Sequence, residues 1–124
     1  MNIGAIILAG GQSRRMGRTK ALLRLRPEGA RLIELVRAAV QPIAAEIVVS
    51  TNTPADFAWL GLPLVADAVP GVGPLAGLAA GLAALQNEWT LLVACDMPYL
   101  VTDMLRYLCD QRQDDVAAVV PLNL

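Results

Sequence analysis

The run Leu8-Ala9-Gly10-Gly11-Gln12-Ser13-Arg14-Arg15-Met16-Gly17-Arg18-Thr19-Lys20 sets two adjacent glycines among four cations. Adjacent glycines let a backbone approach a flat base or a phosphate closely. Their N–H groups can donate to phosphate oxygens, and Arg14, Arg15 and Lys20 offer fixed positive charge to a polyphosphate. Five of the ten basic residues (Arg14, Arg15, Arg18, Lys20, Arg24) fall close together here, although the whole chain carries a net charge of only -1. The spacing is neither that of a Walker A loop nor that of a dinucleotide fingerprint. A solvated basic turn is the alternative use of the same residues.

Two carboxylates end apolar runs further on. Asp96 follows Leu91-Leu92-Val93-Ala94-Cys95, and Asp67 follows Leu64-Val65-Ala66. A carboxylate at a strand end suits Mg²⁺, which takes one or two carboxylates and fills its shell with substrate phosphates and water. Either Asp could instead cap the following turn. Gly71-Val72-Gly73-Pro74-Leu75-Ala76-Gly77 reads as a second wall of a nucleotide pocket, or as a close-packed helix entry.

Other chemistries are excluded by what the chain lacks. It has no His, so there is no His general base, Ser-His-Asp triad or His metal site. Cys95 and Cys109 lack metal-ligand spacing and read as free thiols of a reducing compartment. Cys95 sits beside an acid, without the cationic setting of a reactive thiolate. Ser13, Thr19 and Thr51 have no partner base, and Trp59 and Trp89 read as packing residues. Ten basic residues against eleven acidic ones leave no basic face for nucleic acid. No apolar run reaches the length of a membrane span and no signal peptide is evident, so a cytoplasmic chain with neither nucleic-acid nor membrane partners is expected.

The elements that must position these residues follow from periodicity. The continuous apolar run at residues 3–8 reads as a strand buried on both faces, 46–50, which contains Ile47-Val48-Val49, as a second buried strand, and 62–66, 89–94 and 116–120 as three more strands. Residues 9–20 read as a loop. Leu32, Leu35, Val36, Ala39 and Val40 give helical spacing over 31–41, which Pro42 helps to end. Residues 53–56 look like the start of a short helix, and Thr102-Asp103 starts another that reaches residue 109 or 111. Pro74 suits the first position of a helix whose apolar face is Leu75, Leu78, Leu82 and Leu85. Gly77 and Gly81 leave a thin face on it for a sheet or a ligand. Strands alternating with helices predict one α/β domain over 1–124, a three-layer sandwich around a mostly parallel sheet. Ligands of such folds gather outside the carboxyl ends of the strands, where these glycines and lone carboxylates fall.

Taken together, Leu8-Ala9-Gly10-Gly11-Gln12-Ser13-Arg14-Arg15-Met16-Gly17-Arg18-Thr19-Lys20-Ala21-Leu22-Leu23, Asp67, Gly73-Pro74-Leu75-Ala76-Gly77 and Ala94-Cys95-Asp96-Met97-Pro98-Tyr99-Leu100 resemble the molybdenum cofactor guanylyltransferase (MobA-like) family in order and separation. The resemblance implies a Rossmann-like nucleotidyltransferase fold. It implies that Leu8, Ala9 and Gly10 contact guanine and ribose through the backbone, that Gly11, Arg15 and Lys20 hold phosphates, that Asp67 and Gly77 lie in the nucleotide pocket, and that Asp96 binds Mg²⁺. The paired glycines lean toward guanine. Where family members place a strand-end Asn against the nucleotide, Ser50 aligns and Asn52 comes two residues later; Asn52 is carried over in its stead. Family members continue well past residue 124, into a part that completes the sheet and shapes the acceptor pocket.

The activity so implied is attack by the phosphate of molybdopterin on the α-phosphorus of GTP, with pyrophosphate leaving. Arg15, Lys20 and Asp96 would carry the catalysis, with GTP and the molybdenum cofactor as substrates and molybdoenzyme-maturation proteins as candidate protein partners. Two other classes stay open on sequence alone: a cytidylyl or sugar-phosphate nucleotidyltransferase, and a non-catalytic nucleotide-binding module.

Overall fold

A computed structural model describes residues 3–9, 14–15, 18–66, 74–97 and 99–121. Strand β1 (Ile3–Leu8) is followed by β2 (Arg14–Arg15) and β3 (Arg18–Thr19), a 3-10 turn at Lys20–Leu22, and helix α1 (Leu32–Val40). Next come β4 (Glu46–Ser50), 3-10 turns at Pro54–Asp56 and Ala58–Leu60, β5 (Leu64–Val65), α2 (Pro74–Ala84), β6 (Trp89–Ala94) and α3 (Thr102–Asp110). The main sheet has the order β5-β4-β1-β6 with every pair parallel. This is the α/β architecture expected from the alternating pattern.

Side-chain alternation divides the core. Ile3, Ala5 and Ile7 of β1, Val49 of β4 and Leu91 and Val93 of β6 face α1 and α3 and form the larger core. Helix α1 contributes Leu32, Ile33, Val36, Ala39 and Val40. Ile33 takes the place expected for Leu35, which is only half-buried. The α1 amino end is closed by Glu34, whose Oε1 accepts the Arg31 N–H at 3.0 Å. Helix α3 meets α1 through the Thr102 hydroxyl, which donates to the Ala39 carbonyl at 2.7 Å. On the opposite face, Ile6, Val48 and Leu85 form a smaller core with Leu8 and Leu78 beside α2.

Residues 116–120 form no strand: Val116 is 37% and Val120 74% exposed, and no ladder among the described residues takes them. Valine-rich sequence favours a pleated surface, yet a strand needs an edge that receives its N–H and C=O groups. The third strand is shorter than 62–66 because Pro63 has no N–H to donate, although its carbonyl accepts from Val49 at 2.9 Å. Residues 9–20 are not wholly loop, since Arg14 pairs with Thr19 and Arg15 with Arg18 in an antiparallel ladder. The buried side of α2 is Gly77 and Gly81, continued by Leu85 just past its end, whereas Leu75 and Leu82 are exposed.

The expected short helix at 53–56 is a 3-10 turn. Trp59, expected to pack, is 44% exposed; its Nε1 donates to the Asp56 carbonyl and the Arg31 guanidinium stacks 4.5 Å from its ring centre. Trp89 packs against the larger core.

Candidate functional site

The path of the chain creates one crevice. From β1 it passes through α1 to β4 and β5 on one side, then crosses the other face through α2 to β6, on the far side of β1. Strand order therefore reverses between β1 and β6, and ligands of open α/β sheets bind outside the carboxyl ends at such a point.

Backbone hydrogen bonds carry the strand ends to a common level. The Ala9 N–H donates to the Ser50 carbonyl at 2.8 Å, Cys95 N–H to Leu8 C=O at 3.0 Å, and Thr51 N–H to Val65 C=O at 2.8 Å. In register, Leu8 stands between Ser50 and Ala94. Adjacent strands lie about 4.8 Å apart. Ala9, Thr51 and Cys95 thus form one row, and Asn52 and Asp96 leave their strands one residue above it.

Leu8 is half-buried and Ala9 is buried, so contact with a ligand there would run through the backbone. Asp96 is half-buried, in the turn after β6. Asn52 is also half-buried. It sits in a turn closed by the Thr51 hydroxyl, which accepts the Thr53 N–H at 3.0 Å and lies 3.3 Å from the Thr53 hydroxyl. Ser50, at the end of the expected strand, and Thr51, which follows it, are each 1% exposed. A Thr-x-Thr after an apolar run is the local signal that marks such a turn.

Gly77 is buried in the first turns of α2. The backbone of Arg15 lies in β2 and Lys20 begins the 3-10 turn after β3. That turn is fixed to the core: Ala21 is fully buried, and the Leu32 N–H donates to Leu23 C=O at 2.9 Å. Gly10, Gly11 and Asp67 lie outside the described residues. The structure therefore brings Leu8, Ala9, Asn52 and Asp96 to one edge of the sheet. A cavity of about 300 Å³ opens elsewhere, between α1 and the Trp59 turn, lined by Glu34, Arg37, Ala38, Gln41, Trp59 and Leu60. It includes none of the strand-end residues.

Among the described residues there is no group of three or more acidic or Cys side chains that could hold a metal by themselves. Asp96 alone still fits Mg²⁺, whose shell one carboxylate begins and nucleotide phosphates and water complete. No helix among the described residues is long and apolar enough to cross a membrane.

An all-parallel main sheet wound in opposite senses about β1 defines a Rossmann-like α/β domain, and the sequence places it among the nucleotidyltransferases. The chain belongs to the MobA-like NTP transferase domain family, whose sequence model matches residues 5–123. It is 41% identical over 114 residues to a probable molybdenum cofactor guanylyltransferase of Carboxydothermus hydrogenoformans, covering 91% of this chain and 56% of that protein. A Chloroflexus aggregans protein with the same description is 44% identical over 111 residues, covering 87% of this chain and 52% of its own length. A nucleotidyl transferase structure from Methanothermobacter thermautotroptrophicus superposes with a TM-score of 0.74 at 25% identity, covering 89% of this chain and 57% of that one. The chain spans about half the length of the curated relatives it matches.

Proposed function

We propose that this domain binds GTP with Mg²⁺ and serves transfer of its guanylyl group to the phosphate of molybdopterin, releasing pyrophosphate and giving the guanine dinucleotide form of the cofactor. The observation that carries the reading is the neighbourhood of Ala9 and Asp96 across the switch point, fixed by the Cys95–Leu8 hydrogen bond. The relatives' descriptions as molybdenum cofactor guanylyltransferases support the choice of nucleotide and acceptor.

The chain's own groups suffice for the task assigned to them. A phosphate acceptor is already ionised near neutral pH, so transfer needs no general base, consistent with a chain that has no His. What remains is positioning and charge neutralisation. The backbone at Leu8, Ala9 and Gly10 receives the base and ribose. Gly11, Arg15 and Lys20 take the phosphates, with Arg15 and Lys20 favouring departure of pyrophosphate. Asn52, Asp67 and Gly77 complete the nucleotide pocket. Asp96 holds Mg²⁺, which when bound offsets the charge that builds on the α-phosphate. Cys95 and Cys109, which are not joined in a disulfide, suit a cytoplasmic setting.

Calorimetry with GTP, CTP and ATP in the presence of Mg²⁺ tests the nucleotide half of the reading. GTP selectivity is expected, and CTP selectivity overturns the guanylyl assignment. Pyrophosphate release on adding molybdopterin tests the acceptor half. GTP binding with no release in a chain carrying the relatives' full length would mark a binding module instead.

A further inference from the structure

Helix α2 lies on the sheet in step with β1. A Cβ on Gly4 would stand 3.1 Å from Leu85 Cδ1 and 2.6 Å from Asn87 Oδ1. Two residues further along the strand, a Cβ on Gly81 would stand 2.5, 2.7 and 3.0 Å from Cδ1, Cγ1 and Cγ2 of Ile6. Four helical residues climb about 6 Å, and two strand residues climb about 6.6 Å. The next facing pair up this ladder is therefore Gly77 and Leu8. Consistently, Leu78 and Leu8 join the cluster that Ile6, Val48 and Leu85 form. Gly77 is buried, and Leu8 is the last residue of β1, at the crevice.

We propose that Gly81 is a positioning residue for the nucleotide: its missing side chain sets the width of the slot between the first turns of α2 and the end of β1. The proposal rests on the nucleotide reading given above. Gly81 does not reach the crevice, because it lies one helical turn below Gly77. Its influence runs through the rigid helix.

Ile6 cannot yield to a Cβ at position 81. It is fully buried, β-branched and enclosed by Val48 and Leu85. Relief must come from the helix, which would lift by about 1 Å to restore ordinary carbon–carbon separation. A misplacement of about 1 Å can cost about a hundredfold at a site built on fixed geometry. Alanine is otherwise the better helix former, so a glycine at mid-helix reflects the lack of room above Ile6.

Calorimetric titration with GTP and Mg²⁺ tests this, each variant first shown to be folded by circular dichroism. Gly81→Ala is expected to weaken GTP binding by about tenfold or more. Gly81→Ala with Ile6→Ala, which removes all three close carbons, should recover most of the loss. Gly81→Ala with Ile6→Val, which keeps two of the three, should lie between. Val36→Ala, a buried change on the opposite face, should lower stability and leave affinity unchanged. If Gly81→Ala does not fold alone, the order of the two double variants decides. Wild-type affinity in Gly81→Ala, or equal affinity in the two double variants, overturns the positioning role and leaves the nucleotide reading standing. A wild-type chain that binds no GTP overturns both.

Discussion

The Cys95 N–H donates to the Leu8 carbonyl across 3.0 Å, one step beyond the last paired residues of β6 and β1. That bond brings the turn carrying Asp96 to the side of Ala9. Neither segment could form the crevice alone. Asp96→Asn, which removes the charge and keeps the volume, is expected to lower the rate of guanylyl transfer by at least about a hundredfold. Its stability should stay within about 0.5 kcal/mol of wild type, as for changes outside the core. A pyrophosphate-release assay beside a thermal melt checks both, and a rate near wild type would remove Asp96 from the mechanism.

Lys20 opens a turn whose next residue, Ala21, is fully buried. Lys20→Ala should therefore spare the fold while removing a charge-assisted contact to phosphate, typically about 1.5–3 kcal/mol. The expected result is GTP affinity lower by about ten- to a hundredfold. Calorimetry reads it directly, and unchanged affinity counts against the phosphate role.

Phe57 is the only Phe in the chain and has no exposed surface. It joins the two 3-10 turns, its N–H donating to Pro54 and its carbonyl accepting from Leu60. Phe57→Ala is expected to destabilise the domain by about 3–5 kcal/mol, the range for emptying a large buried site. Urea unfolding measures this; a loss below 1 kcal/mol, on the order of an ordinary surface change, would show that the site collapses to fill the space.

Burial pushes the Cys109 thiol above its ordinary range. The Arg112 guanidinium opposes that shift and Asp110 adds to it. Alkylation of Cys109 near neutral pH should accordingly be slower than that of an unstructured thiol, and should accelerate only at higher pH. The linkage has a definite sign. A thiol raised in the folded state adds stability that is complete below its unfolded range and fades as the pH climbs through the folded one. Rates of iodoacetamide modification of Cys109 across pH, by mass spectrometry, test the shift. A rate at neutral pH equal to that of a free thiol contradicts it.

Much of this architecture could be read in advance because its residues report their surroundings directly. β1 and β6 have the extents expected from their apolar runs; β1 is buried on both faces, which leaves no room for polar residues, whereas Leu92 of β6 is 40% exposed. α3 begins at Thr102 and turns Leu105, Leu108 and Cys109 to the core, as helical spacing requires. Other features depend on what lies opposite. In α2 nearly every position is apolar or small, so hydropathy could not identify its inner side. The approach to Ile6 chose glycine over leucine. Residues 116–120 carry strand-forming side chains, but pairing belongs to the partner edge as much as to the strand. At the site, the positions of Ala9, Asn52 and Asp96 followed from where apolar runs stop. The turn that holds Asn52 did not, because it depends on a Thr hydroxyl reaching a backbone N–H two residues later.

The pairing of Leu8 with Ala94 joins positions separated by more than eighty residues. During synthesis the basic loop after β1 emerges long before β6, so the crevice must wait until the later strand has docked. Parallel strands joined over such distances assemble slowly, because a long stretch of chain must be ordered before the contact forms. A nascent chain arrested before residue 94 would thus carry Leu8 and Ala9 without the turn of Asp96 beside them. Competence for the nucleotide would arrive late, with the docking of a single strand.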